Sequence, residues 1–131
     1  MKLLLYTNII IWLLAADERI NYKVRMAQNE AEDVPYSAAS LWEIAIKAGN
    51  GKLNASASSV MKHLEGTFIK SMPILPQHTL PVQHMAKHHA NPFDRLLIAQ
   101  ATVEGHTLLT GDRALRQYDA TGNVIRLISD L

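Results

Sequence analysis

Short unbroken apolar runs alternate along this chain with stretches whose apolar residues recur every three or four positions. Residues 2–6 (KLLLY) form an apolar run without alternation, the mark of a parallel strand covered on both faces. Thr7 or Asn8 can cap a helix over 8–15. Residues 21–32 predict a polar amphipathic helix, and Val34 to Ala38 a second short strand. Ser40 opens SLWEIAIKAG, with Leu41, Ile44 and Ala45 on one face and Gly49-Asn50-Gly51 as the stop. A helix over 56–70 turns Val60, Leu64 and Phe68 inward. MPILP (72–76) predicts a brief edge strand, and 77–87 a helix. Asn91-Pro92 opens a strong helix over 92–104 that ends at Gly105. HTLLT (106–110) is a strand, Asp112 starts a short helix, and NVIRLI (123–128) is the last strand.

Strands alternating with helices predict an α/β fold, a mostly parallel sheet with helices on both faces. In such sheets a ligand sits beyond the carboxyl ends of the strands, where the strand order switches. The length, 131 residues, suits a single domain spanning 1–131 and a sizeable core. A net charge of +1 excludes a binder that relies on bulk positive charge, so any nucleic-acid contact must come from local Lys and Arg. The chain has no cysteine, which removes disulfides, thiolate zinc sites and cysteine nucleophiles. The apolar start LLLYTNIIIWLLAA is broken by Thr7 and Asn8 and runs into Asp17, Glu18 and Arg19. It reads as a buried strand and helix rather than a signal peptide. No run approaches a membrane span, and the expected setting is cytoplasmic.

Three acids fall near predicted strand ends: Glu43 in SAASLWEIAIK, Asp94 in NPFDRLLIAQA and Asp112 in TLLTGDRAL. Each alone has a structural reading. Ser40-x-x-Glu43 is a capping-box pattern, and Glu43 can pair with Lys47 one turn on. Asp94 lies in a first helical turn, where the helix dipole favours an acid. Asp112 can cap the helix that follows. Together they suit a site for Mg²⁺ or Mn²⁺, hard cations that prefer carboxylate oxygens. Such ions orient a phosphodiester and activate water, whereas converging acids without a cation repel one another.

The blocks SAASLWEIAIKAGNGKL and NPFDRLLIAQATVEGHTLLTGD resemble the PIN-domain family, and within it the VapC-type toxins of bacterial toxin–antitoxin pairs. The likeness covers nearly the whole chain. It implies a three-layer α/β/α sandwich and a ribonuclease using Mg²⁺ or Mn²⁺. It also implies an RNA substrate, a VapB-type antitoxin as partner and a homodimer. By motif match Glu43, Asp94 and Asp112 are the catalytic and metal-binding acids, with Asn8, Ser40 and Thr110 in support. The family has an Asp in the opening block, where this chain has Tyr6 (LLLYTN). A phenol is neutral at pH 7 and a poor ligand for Mg²⁺, so the nuclease expected here is an impaired one. The alternative is an inactive homologue that still binds antitoxin or RNA. A second departure is Asn91, where relatives often have Asp.

Arg95 and Arg113 directly follow site acids and are candidates for binding substrate phosphate. Lys47, Lys52, Lys87 and Arg116 also flank the acidic blocks, either as phosphate contacts or as ordinary solvated charge. His84 and His88 are four apart, a zinc-like spacing in a helix, but no HExxH glutamate accompanies them; surface histidines are the simpler reading. Trp12 and Trp42 are expected in the core. A phosphatase on a similar acidic sheet would need a DxD-type nucleophile motif, which the sequence lacks.

Overall fold

The computed structural model describes residues 1–87 and 91–131. Five parallel strands form its sheet: β1 Leu3–Leu5, β2 Tyr36–Ser37, β3 Ser71–Met72, β4 Thr107–Thr110 and β5 Ile125–Leu127. Their spatial order is β3-β2-β1-β4-β5. Register is fixed by Leu5 opposite both Tyr36 and Leu109, and by Leu108 opposite Ile125. Leu3, Leu4 and Leu5 are all buried. Successive side chains of a strand point to opposite faces, so both faces of the central strand are covered, as a three-layer α/β/α arrangement requires. The chain builds outward from β1 to β2 and β3, then returns to the other side of β1 with β4. The switch in strand order therefore lies between β1 and β4, and in such sheets a ligand site is expected beyond their carboxyl ends. Tyr6 follows β1 and Asp112 follows β4 at that point.

The helices are α1 Thr7–Leu14, α2 Tyr22–Glu30, α3 Ala38–Gly49, α4 Ala57–Glu65, α5 Pro76–Thr79 and α6 Pro92–Glu104, with 3-10 turns at Leu80–His84, Arg113–Tyr118 and Ile128–Asp130. The core joins Leu3–Leu5, Ile9 and Ile10 of α1, Leu97, Ile98 and Ala101 of α6, and Leu108 and Leu109 of β4. α6 follows its sequence signals closely. Asn91 caps it by accepting from the Phe93 N–H at 3.0 Å, Pro92 is its first residue, and Gly105 ends it in the left-handed conformation at φ 70°. No helix among the described residues is long and apolar enough to cross a membrane.

Several boundaries differ from the sequence reading, each for a local reason. α3 starts earlier than expected, because the Ser37 hydroxyl accepts from the Ala39 N–H at 2.9 Å and caps it. Ser40 therefore lies inside the helix, and the capping-box reading of Ser40 and Glu43 fails. α4 stops at Glu65, before Gly66, which leaves Phe68 58 % exposed rather than inward. β3 is only Ser71–Met72, since Pro73 has no N–H to continue the ladder. The expected helix over 77–87 is a single turn, α5, followed by the 3-10 turn; Pro81 lacks the donor that an α-helix needs there. Trp12 is half-buried against the core, but Trp42 is 57 % exposed, and Ala45 is also exposed. The spacing between His84 and His88 falls partly outside the described residues.

Candidate active site

Tyr6 is the side chain on which the three acids converge. Its N–H donates to the Leu109 carbonyl of β4 at 3.0 Å, which pins the strand end where the side chain leaves. The ring is buried, 7 % exposed, and the hydroxyl donates a hydrogen bond to Asp94 Oδ1. Burial pushes the Tyr6 phenol far above the ordinary tyrosine value. The hydrogen bond to Asp94 and the negative charges of Asp94, Glu43 and Asp112 push in the same direction. A phenolate among three carboxylates would be a fourth like charge, so the phenol stays neutral. All three acids singled out in the sequence thus act on one side chain.

Each acid approaches Tyr6 from its own element. Asp94 is in the first turn of α6 and is buried. Glu43 is on α3 and also buried; its Oε2 accepts from Lys47 Nζ at 3.0 Å and from Asn91 Nδ2 at 3.1 Å. The Lys47 pair was legible as an i,i+4 spacing. The Asn91 contact links residues 48 positions apart and had no local signal. Asp112 follows β4; its N–H donates to Thr110 Oγ1 at 3.1 Å, and its Oδ1 accepts from the Ala114 N–H at 3.0 Å. It therefore caps the following 3-10 turn, as one of its two sequence readings had it. Thr110 is buried beneath it. Ser40 Oγ accepts from Thr7 Oγ1 at 2.9 Å, tying α3 to the start of α1. Arg95 is buried, while Arg113 is exposed.

Among the described residues, two buried oxygens here lack a hydrogen-bond partner, Glu43 Oε1 and Asn8 Oδ1. Unpaired acceptors of this kind suit a cation or a donor group. The rest of the set does not fit a metal ion. The Tyr6 hydroxyl holds an Asp94 oxygen, and Lys47 and Asn91 share the other Glu43 oxygen. Among the described residues no three His, Cys, Asp or Glu side chains come together as a metal-holding group. With Tyr6 in place, the acids surround a phenol instead of a cation.

On the far side of Asp112 the chain passes under Trp12. A Cβ on Gly111 would lie 2.5 Å from Trp12 Cζ3 and 2.6 Å from Cη2, so only glycine lets the indole approach. Arg19 stacks on the indole with its guanidinium carbon 3.9 Å from the ring centroid. Nothing in the spacing of Trp12 and Gly111 announced this contact.

The PIN domain family matches residues 3–121, and the chain belongs to that family. The sequence resemblance is thereby borne out at family level. Comparison with curated proteins gives no match. Three solved structures share the fold. VapBC2 from Rickettsia felis bound to a DNA fragment from its promoter aligns with TM-score 0.72 at 15 % identity, over 97 % of this chain and 98 % of that one. DNA-bound VapBC from Salmonella typhimurium aligns with TM-score 0.68 at 18 % identity, over 98 % of both chains. FitAcB from Neisseria gonorrhoeae aligns with TM-score 0.65 at 20 % identity, over 98 % and 99 %.

Proposed function

We propose that this chain is an endoribonuclease toxin of a toxin–antitoxin pair, built on a site for Mg²⁺ or Mn²⁺ and impaired by Tyr6. The observation that carries the reading is the Tyr6 hydroxyl on Asp94, with Glu43 and Asp112 facing the same phenol. Three buried or half-buried acids from three elements are a costly arrangement without a bound cation. Their retention around the one position where the family has Asp supports a nuclease ancestry. A phenol there neither binds a hard cation nor activates water. The same contact favours a second reading, a homologue that holds antitoxin and RNA without turnover.

A VapB-type antitoxin is supported by an apolar groove of about 320 Å³ lined by Leu13, Leu14, Leu64 and Phe68, between α1, α2 and α4. Gln28 lines it too. An amphipathic antitoxin helix would cover the Leu13, Leu14 and Phe68 side chains. A homodimer is supported by exposed Trp42 and Ile46 beside Phe93, whose ring meets Trp42 edge-on at 4.9 Å.

The test is RNA cleavage by this chain and by Tyr6→Asp, each with Mg²⁺, with Mn²⁺ and with EDTA. The expected result is cleavage by Tyr6→Asp only when metal is present, and little by this chain. Strong cleavage by this chain that Asp94→Ala abolishes would show that three acids suffice and overturn the impairment. No cleavage by Tyr6→Asp under any condition, with RNA still bound, selects the binding-only reading.

A further inference from the structure

A cleft of about 380 Å³ lies beside the acids, lined by Trp12, Arg19, Asn21, Gly111, Arg113 and the turn at Ile128–Ser129. It is large enough for a small ligand, and Gly111 and Arg113 place its floor on either side of Asp112. The Trp12 indole and the Arg19 guanidinium are stacked. Asp17 holds that guanidinium flat, accepting from Arg19 Nε at 3.0 Å and from Nη2 at 2.8 Å. Arg113 is exposed, and no acidic partner of it is found among the described residues.

Three of the polar side chains in the lining, Arg19, Asn21 and Arg113, present donors, and the Ser129 hydroxyl can do either. The Asn21 side-chain oxygen is committed to the Lys23 and Val24 N–H groups at 3.0 and 3.2 Å, which leaves its amide hydrogens for the cleft. Arg19 and Arg113 have only donors. Such a lining suits a ligand rich in acceptors, with a flat ring and a negative charge. A nucleotide has all three, and aromatic and guanidinium planes are the usual stacking partners of unpaired bases.

Resting on the ribonuclease-scaffold reading, we infer that this cleft is a subsite for one nucleotide of single-stranded RNA. The base stacks against the Trp12–Arg19 pair and the phosphate is held by Arg113. The next phosphodiester along the strand would then face Asp112. An acidic peptide satisfies the charge but not the ring stack, so the nucleotide is the better match.

Tryptophan emission tests this directly. In a Trp42→Phe background Trp12 is the sole indole, and Phe keeps a ring against Phe93. That protein is titrated in EDTA with a 5′-phosphorylated oligoadenylate hexamer, and binding is followed in parallel by anisotropy of a labelled hexamer. Trp12 emission is expected to be quenched along the same isotherm, and an abasic oligomer is expected not to quench it. Arg113→Gln, an exposed change, is expected to weaken binding about tenfold, the loss expected for a charge-assisted contact. It should also lower the salt slope by about one. Hexamer binding with unchanged emission and no effect of Arg113→Gln overturns the subsite and leaves RNA binding standing. No hexamer binding at all overturns both. Quenching by hexaglutamate at least as strong as by RNA assigns the cleft to a protein partner and overturns the nucleotide.

Discussion

The Tyr6 hydroxyl donates to Asp94 across 88 positions of sequence, and both groups are buried. A neutral donor thus lies against an acid at the point where β1 ends and α6 begins. Tyr6→Phe removes the donor and keeps the ring. The loss expected is about 1.5–3 kcal/mol, the range for a hydrogen bond to a charged group. Its pH dependence has a definite sign. The folded phenol is held well above the ordinary value, while the unfolded phenol ionises near 10, about the reference value. The stabilisation is therefore complete below about pH 10 and is lost as pH rises beyond it, at up to about 1.4 kcal/mol per pH unit. Tyr36 is also raised by burial but is common to both proteins. Urea unfolding across the alkaline range should show the two stabilities converging; parallel curves would mean that the Tyr6 phenol ionises freely in the fold.

Tyr6→Asp should have opposite effects with and without metal. Replacing a buried ring costs about 3–5 kcal/mol in comparable core truncations, and a fourth acid adds repulsion. Metal-free Tyr6→Asp should melt roughly 10 °C lower or more, at a few degrees per kcal/mol. Mn²⁺ at a hundredfold its Kd should return about 2.7 kcal/mol to Tyr6→Asp and almost nothing to this chain. Calorimetric titration checks the same point by affinity. Equal Mn²⁺ responses would remove position 6 from the site.

Much of this was legible because it is local. β1, α6 and β4 carry apolar runs, a Pro at the first helical turn and a Gly at the last, and these signals act within a few residues. Tyr6 and Asp112 fell at the ends of expected strands, whereas the strand order that makes β1 and β4 neighbours came only with the structure. What the sequence hid is set by distant partners. The Asn91 amide on Glu43 and the Trp12 ring on Gly111 depend on packing between elements far apart in sequence. Helix periodicity put Leu41, Ile44 and Ala45 on one face of α3, but it gave no sign that Glu43 would be buried while Ala45 and Trp42 lie exposed. Ser40 misled because Ser37, three residues earlier, is an equally good cap and sits where the strand ends.

Asn91 joins two roles that substitutions can separate. Its side-chain oxygen caps α6, and its amide donates to Glu43 Oε2. Asn91→Ser keeps a capping oxygen and drops the amide. Asn91→Asp keeps the cap and sets a second carboxylate against Glu43. Both should be destabilised in the absence of metal, Asn91→Asp the more so, by about 1–2 kcal/mol beyond the serine form, since like charge is added to a lost bond. Urea midpoints decide it. If Asn91→Asp is as stable as the parent, the Glu43 contact contributes nothing and only the cap matters.

Gly111 tests the wall between the acids and the neighbouring cleft. Any side chain there meets the Trp12 ring, with a Cβ 2.5 Å from Cζ3. The φ of Gly111 is not in the left-handed region, so the constraint is steric and not conformational. Gly111→Ala should cost about 1–3 kcal/mol, the range for overpacking. Trp12→Phe shortens the ring and should relieve the clash, at its own cost in packing. In a double-mutant cycle Gly111→Ala should therefore cost less in the Trp12→Phe background, with a coupling of about 0.5–3 kcal/mol. Trp42 emission stays available as an unfolding probe in all four proteins. Strict additivity would mean that the indole does not lie on Gly111, and the cleft beside Asp112 would then lack the aromatic wall on which nucleotide stacking depends.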